Sequence, residues 1–245
     1  MLYQLNEDNF IFPPVSLALT EPNGLLAVGG DLQSKRLISA YSQGIFPWFS
    51  EDDPLMWWSP DPRAIINRND LRINKTLRKV IRKAPYTITL NTAFEQVIKQ
   101  CANAPFRDDG TWILPKMQSA YINLHKLGFA HSIEVWQTIN DDKTQPNKIL
   151  VGGLYGVAIN GLFSGESMFY SKANASKLAL IALSNLLHSI KIDFIDCQLL
   201  NPFLADMGAV EVSRNDFILR KQMVINKPIK KNFWMSKELS LVIYE

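Results

Sequence analysis

Only two cysteines, Cys101 and Cys197, occur in 245 residues, too few and too far apart for a disulfide framework or a thiolate metal site. Both are expected to be small buried apolar side chains. The three histidines, His125, His131 and His188, lie scattered with no cysteine or carboxylate at ligand spacing, so no metal is expected. No apolar run approaches the roughly 18 residues that a membrane-spanning helix needs. The opening Met1–Glu7 has no basic stretch leading into an apolar one, which makes the cytoplasm the expected compartment. Repeats and low-complexity tracts are lacking too. Charge of one sign is not in large excess: a net charge of +3 and a pI near 8.8 suit a polyanionic partner without requiring one. What the chain does have is apolar residues, 47% of the total, enough to bury a substantial core.

From Phe10 to Ala64 the chain is dense in prolines, glycines and aromatics, as in Phe12-Pro13-Pro14, Gly29-Gly30-Asp31, Ile45-Phe46-Pro47-Trp48-Phe49 and Trp57-Trp58-Ser59-Pro60. Such punctuation breaks regular elements repeatedly and leaves room for one clear helix, about Ser34 to Gln43, closed by Gly44. A small irregular N-terminal domain over residues 1–64 is expected, with the rest of the chain, 65–245, as a larger one. The rings of Phe46, Trp48, Phe49, Trp57 and Trp58 exceed what so short a segment needs. They form either a mini-core or, at Trp48 behind the rigid Pro47, a platform on which a base can stack.

Beyond Asn69 the pattern becomes regular. Ile73, Leu77, Val80 and Ile81 repeat at helical spacing, with Lys75, Arg78, Lys79, Arg82 and Lys83 on the other side and no acid among them. A face of one sign favours phosphate contact over a plain solvated surface. Tyr86–Leu90 alternates as a strand, and Asn91 or Thr92 is placed to cap a helix reaching about Asn103. A polar loop, Arg107–Trp112, follows. Pro115 opens a helix with Met117, Ala120, Tyr121, Leu124 and Leu127 on one face, closed by Gly128. Ala130–Gln137 reads as a strand and Thr138–Lys148 as a polar excursion. Two strands then flank Asn160-Gly161, a dipeptide that favours a two-residue hairpin turn. A helix over Ser176–Ser189, a strand through Asp196, a helical turn from Asn201 to Met207 and a strand at Val210–Val212 complete the pattern. Ser213 and Asp216 cap the last helix, and the tail from Asn226 offers Phe233-Trp234 as an anchor and little else. The sum is an α/β fold of the α+β type with a mixed sheet.

Three polar residues stand out against apolar surroundings. Asp196 and Gln198 lie two apart, which on a regular strand puts them on one face with Cys197 on the other. Glu166, in the second strand of the hairpin, is the third.

At this point Glu21–Leu32, Gly44–Phe49, Trp57–Arg63, His131–Trp136, Phe163–Phe169, Asn174–Lys177 and Ile195–Gln198 resemble, in order and over nearly the whole chain, the bacterial leucyl/phenylalanyl-tRNA–protein transferases. The resemblance implies a small N-terminal domain followed by a larger one of N-acetyltransferase type. It implies transfer of leucine or phenylalanine, with methionine as a further donor, from charged tRNA to the α-amino group of proteins beginning with arginine or lysine, marking them for degradation. No metal or organic cofactor is implied. The chain is expected to be a monomer with no membrane partner.

Residue by residue, the resemblance assigns catalysis to Asp196 and Gln198, with Asn201 orienting the substrate. Because the donor ester is already activated, the enzyme must position an amine, take a proton and stabilise an oxyanion. A carboxamide oxygen is a feeble base, so Gln198 is expected to be oriented and polarised by Asp196. Leu154, Phe163, Leu183 and Ile195 match the aminoacyl pocket, with Leu180 on the same helix, and periodicity alone would call each of them core. Glu166 either meets the cationic acceptor residue or braces the pocket. Trp48 and Trp112, with Tyr41 and Tyr121 nearby, match the site for the terminal adenosine, and the basic face from Lys75 to Lys83 would hold acceptor-stem phosphates. Leu154 and Leu183 replace a methionine and a phenylalanine of better-known members, and Phe203 stands where a histidine is common. Two rivals are a coenzyme-A-dependent acyltransferase and a non-catalytic RNA-binding protein. The first would need a glycine-rich phosphate loop where Lys172–Ala175 stands, and the second leaves Asp196, Gln198 and Glu166 unexplained.

Overall fold

The computed structural model of the chain describes residues 2–83, 86–105, 110–139 and 147–242. The N-terminal part is more regular than its prolines imply. Strand β1 (Tyr3–Leu5) runs parallel to β2 (Leu25–Gly29), which pairs with β4 (Met56–Trp58), and β4 pairs with β3 (Phe46–Pro47). Strands of two to five residues between turns are too short for a period of two to show in sequence, so this four-stranded sheet was not expected. Helix α1 (Ser34–Gln43) ends as expected at Gly44, whose φ of 81° a side chain would strain.

The larger sheet has eight strands: β5 (Arg63–Asn67), β6 (Tyr86–Leu90), β7 (Ala130–Ile139), β8 (Asn147–Ile159), β9 (Leu162–Tyr170), β10 (Phe194–Gln198), β11 (Val210–Val212) and β12 (Lys237–Leu239). Their order is β11-β5-β10-β9-β8-β7-β6-β12, and all neighbours are antiparallel except β9 and β10. Asn160-Gly161 makes the tight β8–β9 turn, with Asn160 at φ 50°. Successive residues of β8 serve opposite faces. Leu154 and Ala158 join a core with α2 (Lys75–Lys83) and α5 (Ala175–His188). Tyr155 and Val157 join another with α1, α3 (Phe94–Ala102), α4 (Pro115–Lys126) and the aromatics of the N-terminal part. Helices α6 (Pro202–Asp206) and α7 (Arg214–Ile225) follow β10 and β11, and the Ser213 hydroxyl accepts the Asp216 N–H as the sequence implies.

Three local expectations need correction. Neither Asn91 nor Thr92 caps α3, whose N-cap is Ala93 with no side-chain hydrogen bond. Buried Glu134, on β7, accepts the backbone N–H groups of Thr92 and Ala93 and the hydroxyls of Thr89, Thr92 and Ser132. Asn91 instead donates to the Trp234 carbonyl and to Nδ1 of His131. Burial pushes His131 down to about 3, so a neutral ring stacks on Trp234 and pins the C-terminal segment. Leu127 is 60% exposed, because the helix ends one residue before it. The tail holds more than an anchor, since β12 pairs with β6 at the edge of the sheet. The polar stretches around Arg107 and within Thr138–Lys148 fall largely outside the described residues.

Candidate active site

The site begins where two parallel strands part. β10 bridges β9 at one position, Asp196 to Ser164. Just beyond it each strand carries an extra residue: Glu166 on β9, between the partners Gly165 and Ser167, and Cys197 on β10, between Asp196 and Gln198. A bulge re-aims side chains and increases twist. The expectation that Asp196 and Gln198 share a face therefore fails. Asp196 points into the protein at 0% exposure, whereas Gln198, with φ 56°, is half-buried in a cavity wall.

Every oxygen lone pair of Asp196 has an internal claimant. Arg63 Nε–H and Nη2–H donate to Oδ1 and Oδ2, each at 2.8 Å, Ser164 Oγ–H donates to Oδ2 at 2.7 Å, and the Gln198 backbone N–H donates to Oδ1 at 3.2 Å. Arg63 is equally buried, donates Nη1–H to the Gly44 carbonyl, and lies over the rings of Phe46 and Phe217. Asp196 thus reaches Gln198 through the backbone and leaves its carboxamide alone.

That carboxamide meets Glu166. Gln198 Nε2–H donates to Glu166 Oε1 at 2.9 Å, and the carboxylate also accepts the hydroxyls of Tyr41 at 2.7 Å and Tyr121 at 3.0 Å. The two tyrosine oxygens also lie within hydrogen-bond distance of each other, so two hydroxyl protons are shared among three contacts. Burial raises Glu166 to about 7 even though both hydroxyls favour its charged form. The same burial, with Glu166 beside them, raises both tyrosines well above their ordinary range, so each stays a donor.

Glu166 and Gln198 face a cavity of about 550 Å³. Leu154, Phe163, Leu180, Leu183 and Ile195 line it, together with Met168, Phe203 and Leu204, and so does Trp112. All six pocket residues singled out in the sequence therefore meet in one cavity. Asn201 also lines it, but its side-chain oxygen caps α6 by accepting the Leu204 N–H. Cys197 forms part of the wall rather than the core, and burial pushes its thiol up, away from reactivity. Tyr41 and Tyr121 are buried completely and present no ring face for a base, whereas Trp48 is 42% exposed. Helix α2 turns Leu77 and Ile81 inward and Lys75, Lys79, Arg82 and Lys83 outward, with Arg78 half-buried, and it contributes nothing to the cavity wall. Among the described residues no cluster of His, Cys, Asp and Glu suits a metal, and no helix is long and apolar enough to cross a membrane.

The family model described as leucyl/phenylalanyl-tRNA protein transferase matches residues 65–222, and that family's N-terminal domain matches residues 30–61. The chain belongs to the leucyl/phenylalanyl-tRNA protein transferase family. It is 63% identical over 242 residues to the leucyl/phenylalanyl-tRNA–protein transferase of Colwellia psychrerythraea, covering 99% of each chain. Its identity to the protein of the same name from Pseudoalteromonas translucida is 47% over 244 residues, covering 100% of this chain and 98% of the other. Like its relatives, this member of the leucyl/phenylalanyl-tRNA protein transferase family is an aminoacyltransferase. Arg63 and Ser164, which hold Asp196, had no assigned role in the sequence. The only hint was an arginine closing the Trp57–Arg63 motif and a serine opening Ser164-Gly165-Glu166.

Proposed function

We propose that this chain transfers leucine or phenylalanine, with methionine as a further donor, from charged tRNA to the α-amino group of proteins that begin with arginine or lysine. One observation carries the reading: a single cavity joins an apolar wall, fit for those side chains, to a hydrogen-bonded carboxamide and carboxylate, Gln198 and Glu166. Residues 65–245 would form the catalytic domain and residues 1–64 the smaller one. The reaction would run in the cytoplasm on a monomer.

In this scheme the aminoacyl side chain sits among Leu154, Phe163, Leu180, Leu183 and Ile195. The acceptor amine attacks the ester carbonyl, and the 3′ ribose oxygen of the tRNA leaves with a proton. Gln198 gives its N–H to Glu166, which polarises the carboxamide and makes its oxygen a better acceptor for the attacking amine. Asp196 acts at one remove, as a positioning residue that fixes the Gln198 backbone, and Asn201 helps to orient the substrate. Glu166 presents negative charge to the acceptor's cationic first side chain. Trp48 and Trp112 take the terminal adenosine. Tyr41 and Tyr121 contribute through Glu166 instead. The decisive experiment incubates the protein with leucyl-tRNA and a peptide beginning with arginine. A leucine-extended product supports the reading, and its absence, with a blocked-terminus peptide as control, sinks it.

Two further outcomes are expected. Since the carboxylate form of Glu166 is the useful acceptor, the transfer rate should climb as pH rises through about 7. Tyr41→Phe deletes a hydrogen bond that favours the charged form and should move this limb upward; a rate–pH profile that Tyr41→Phe leaves in place would remove Glu166 from the scheme. For stability the sign is opposite. The folded protein keeps the Glu166 proton longer than the unfolded chain, so this gain is complete below the ordinary carboxyl range and gone above about 7. On α2, the Lys79→Ala, Lys83→Ala double variant should reduce the slope of log affinity for tRNA against log salt by about 1 to 2. An unchanged slope would take α2 out of the tRNA contact.

A further inference from the structure

The parting of β9 from β10 leaves strand backbone facing the cavity. In a two-residue hairpin the closing pair, here Ile159 with Leu162, exchanges hydrogen bonds, and such pairs alternate along the ladder. Past the Glu166 bulge, Ser167 with Tyr155 and Phe169 with Gly153 are bonded pairs, which the Ser171 N–H to the Val151 carbonyl at 2.8 Å corroborates. Met168, opposite Leu154, falls between them, so its N–H and C=O point away from β8. They face the side from which β10 departed after its one bridge to Ser164. Gly165, Glu166 and Met168 all line the cavity.

We propose that the acceptor polypeptide docks its first residues as an extended strand on this edge of β9, hydrogen-bonded to the N–H and C=O of Met168. The proposal rests on the transfer reading above and names how that reaction's second substrate is held. Three features favour a peptide over the RNA end. The edge offers a donor and an acceptor at strand spacing, which a peptide backbone matches, while a phosphate could accept the N–H but would oppose the carbonyl. The edge starts at Glu166, so a peptide running parallel to β9 has its cationic first residue and its α-amine at Glu166 and Gln198. Finally, a cavity of about 550 Å³ can take a whole drug-sized ligand, which leaves room beyond one aminoacyl side chain. Backbone pairing is indifferent to sequence, as an enzyme reading only the first residue of many proteins requires.

Peptides beginning with arginine, each with one backbone N–H replaced by an ester oxygen at residue 2, 3 or 4, keep every side chain and the α-amine. At least one should raise KM about five- to tenfold with kcat unchanged, the effect of one lost hydrogen bond, while an ester at residue 7 changes nothing. If the whole series stays within about twofold of a parent peptide that is itself extended, the proposal is overturned. Met168→Pro, read against Met168→Ala so that loss of the side chain from the cavity wall cancels, removes the edge N–H without breaking the β8 ladder and, relative to Met168→Ala, should raise KM for the peptide but not for charged tRNA. A rise for tRNA instead would assign the edge to RNA and overturn the proposal; should this variant not fold, by circular dichroism, the ester series decides alone. Failure to extend even the parent peptide would sink the transfer reading itself and this proposal with it.

Discussion

Gln198→Ala is expected to lower kcat for transfer by about 10²- to 10³-fold while leaving affinity for charged tRNA within about threefold of the parent. Gln198 is the one carboxamide in the cavity wall bonded to Glu166, and its backbone is already set by Asp196, so alanine deletes an acceptor without dismantling the pocket. Single-turnover transfer measures the first quantity and filter binding the second. Gln198→Asn tolerates the same positive φ but is shorter by a methylene, falls short of Glu166, and should not rescue. Gln198→Glu should do no better, because it sets a second carboxylate against Glu166 where a donor stood. Transfer that survives in Gln198→Ala would leave positioning of the ester as the whole of catalysis and retire the proposed hydrogen-bond acceptor for the amine.

Arg63→Ala carries the largest expected cost to the fold, about 3–5 kcal/mol, because it strands the Asp196 carboxylate in the interior. Urea unfolding should show a lower midpoint, and transfer should fall even where the protein remains folded, since the Gln198 backbone loses its brace. The Arg63→Ala, Asp196→Asn double variant should be less destabilised than Arg63→Ala alone, as the uncompensated charge is gone. Equal stability for Arg63→Ala and the parent, within about 1 kcal/mol, would contradict the assigned role of this ion pair.

What the sequence conveyed was local. The helix over Ser34–Gln43 with its closing glycine, the Asn160-Gly161 turn and the Ser213 cap all follow from rules that act within a few residues. The pocket residues converge because they lie on neighbouring strands and one helix. What stayed hidden has two physical causes. Bulges at Glu166 and Cys197 break the period of two that strand reading depends on, so the faces of Asp196 and Gln198 came out wrong. Pairings across long separations leave no trace in spacing: Arg63 lies 133 residues from Asp196, and Tyr41 lies 125 from Glu166. The hold of Glu134 on the turn before α3 leaves no local signal for the same reason, since it reaches back about 40 residues from the next strand.

Helix α1 and the turn after it reach across the shared aromatic core to the cavity, through Tyr41 on Glu166 and the Gly44 carbonyl on Arg63. A chimaera that exchanges N-terminal parts between two relatives would have to carry matched halves of the Tyr41–Glu166 and Arg63–Asp196 contacts across the seam. The proposed boundary after residue 64 therefore does not divide the protein into interchangeable modules: the first stretch of the chain braces the site that the second one lines.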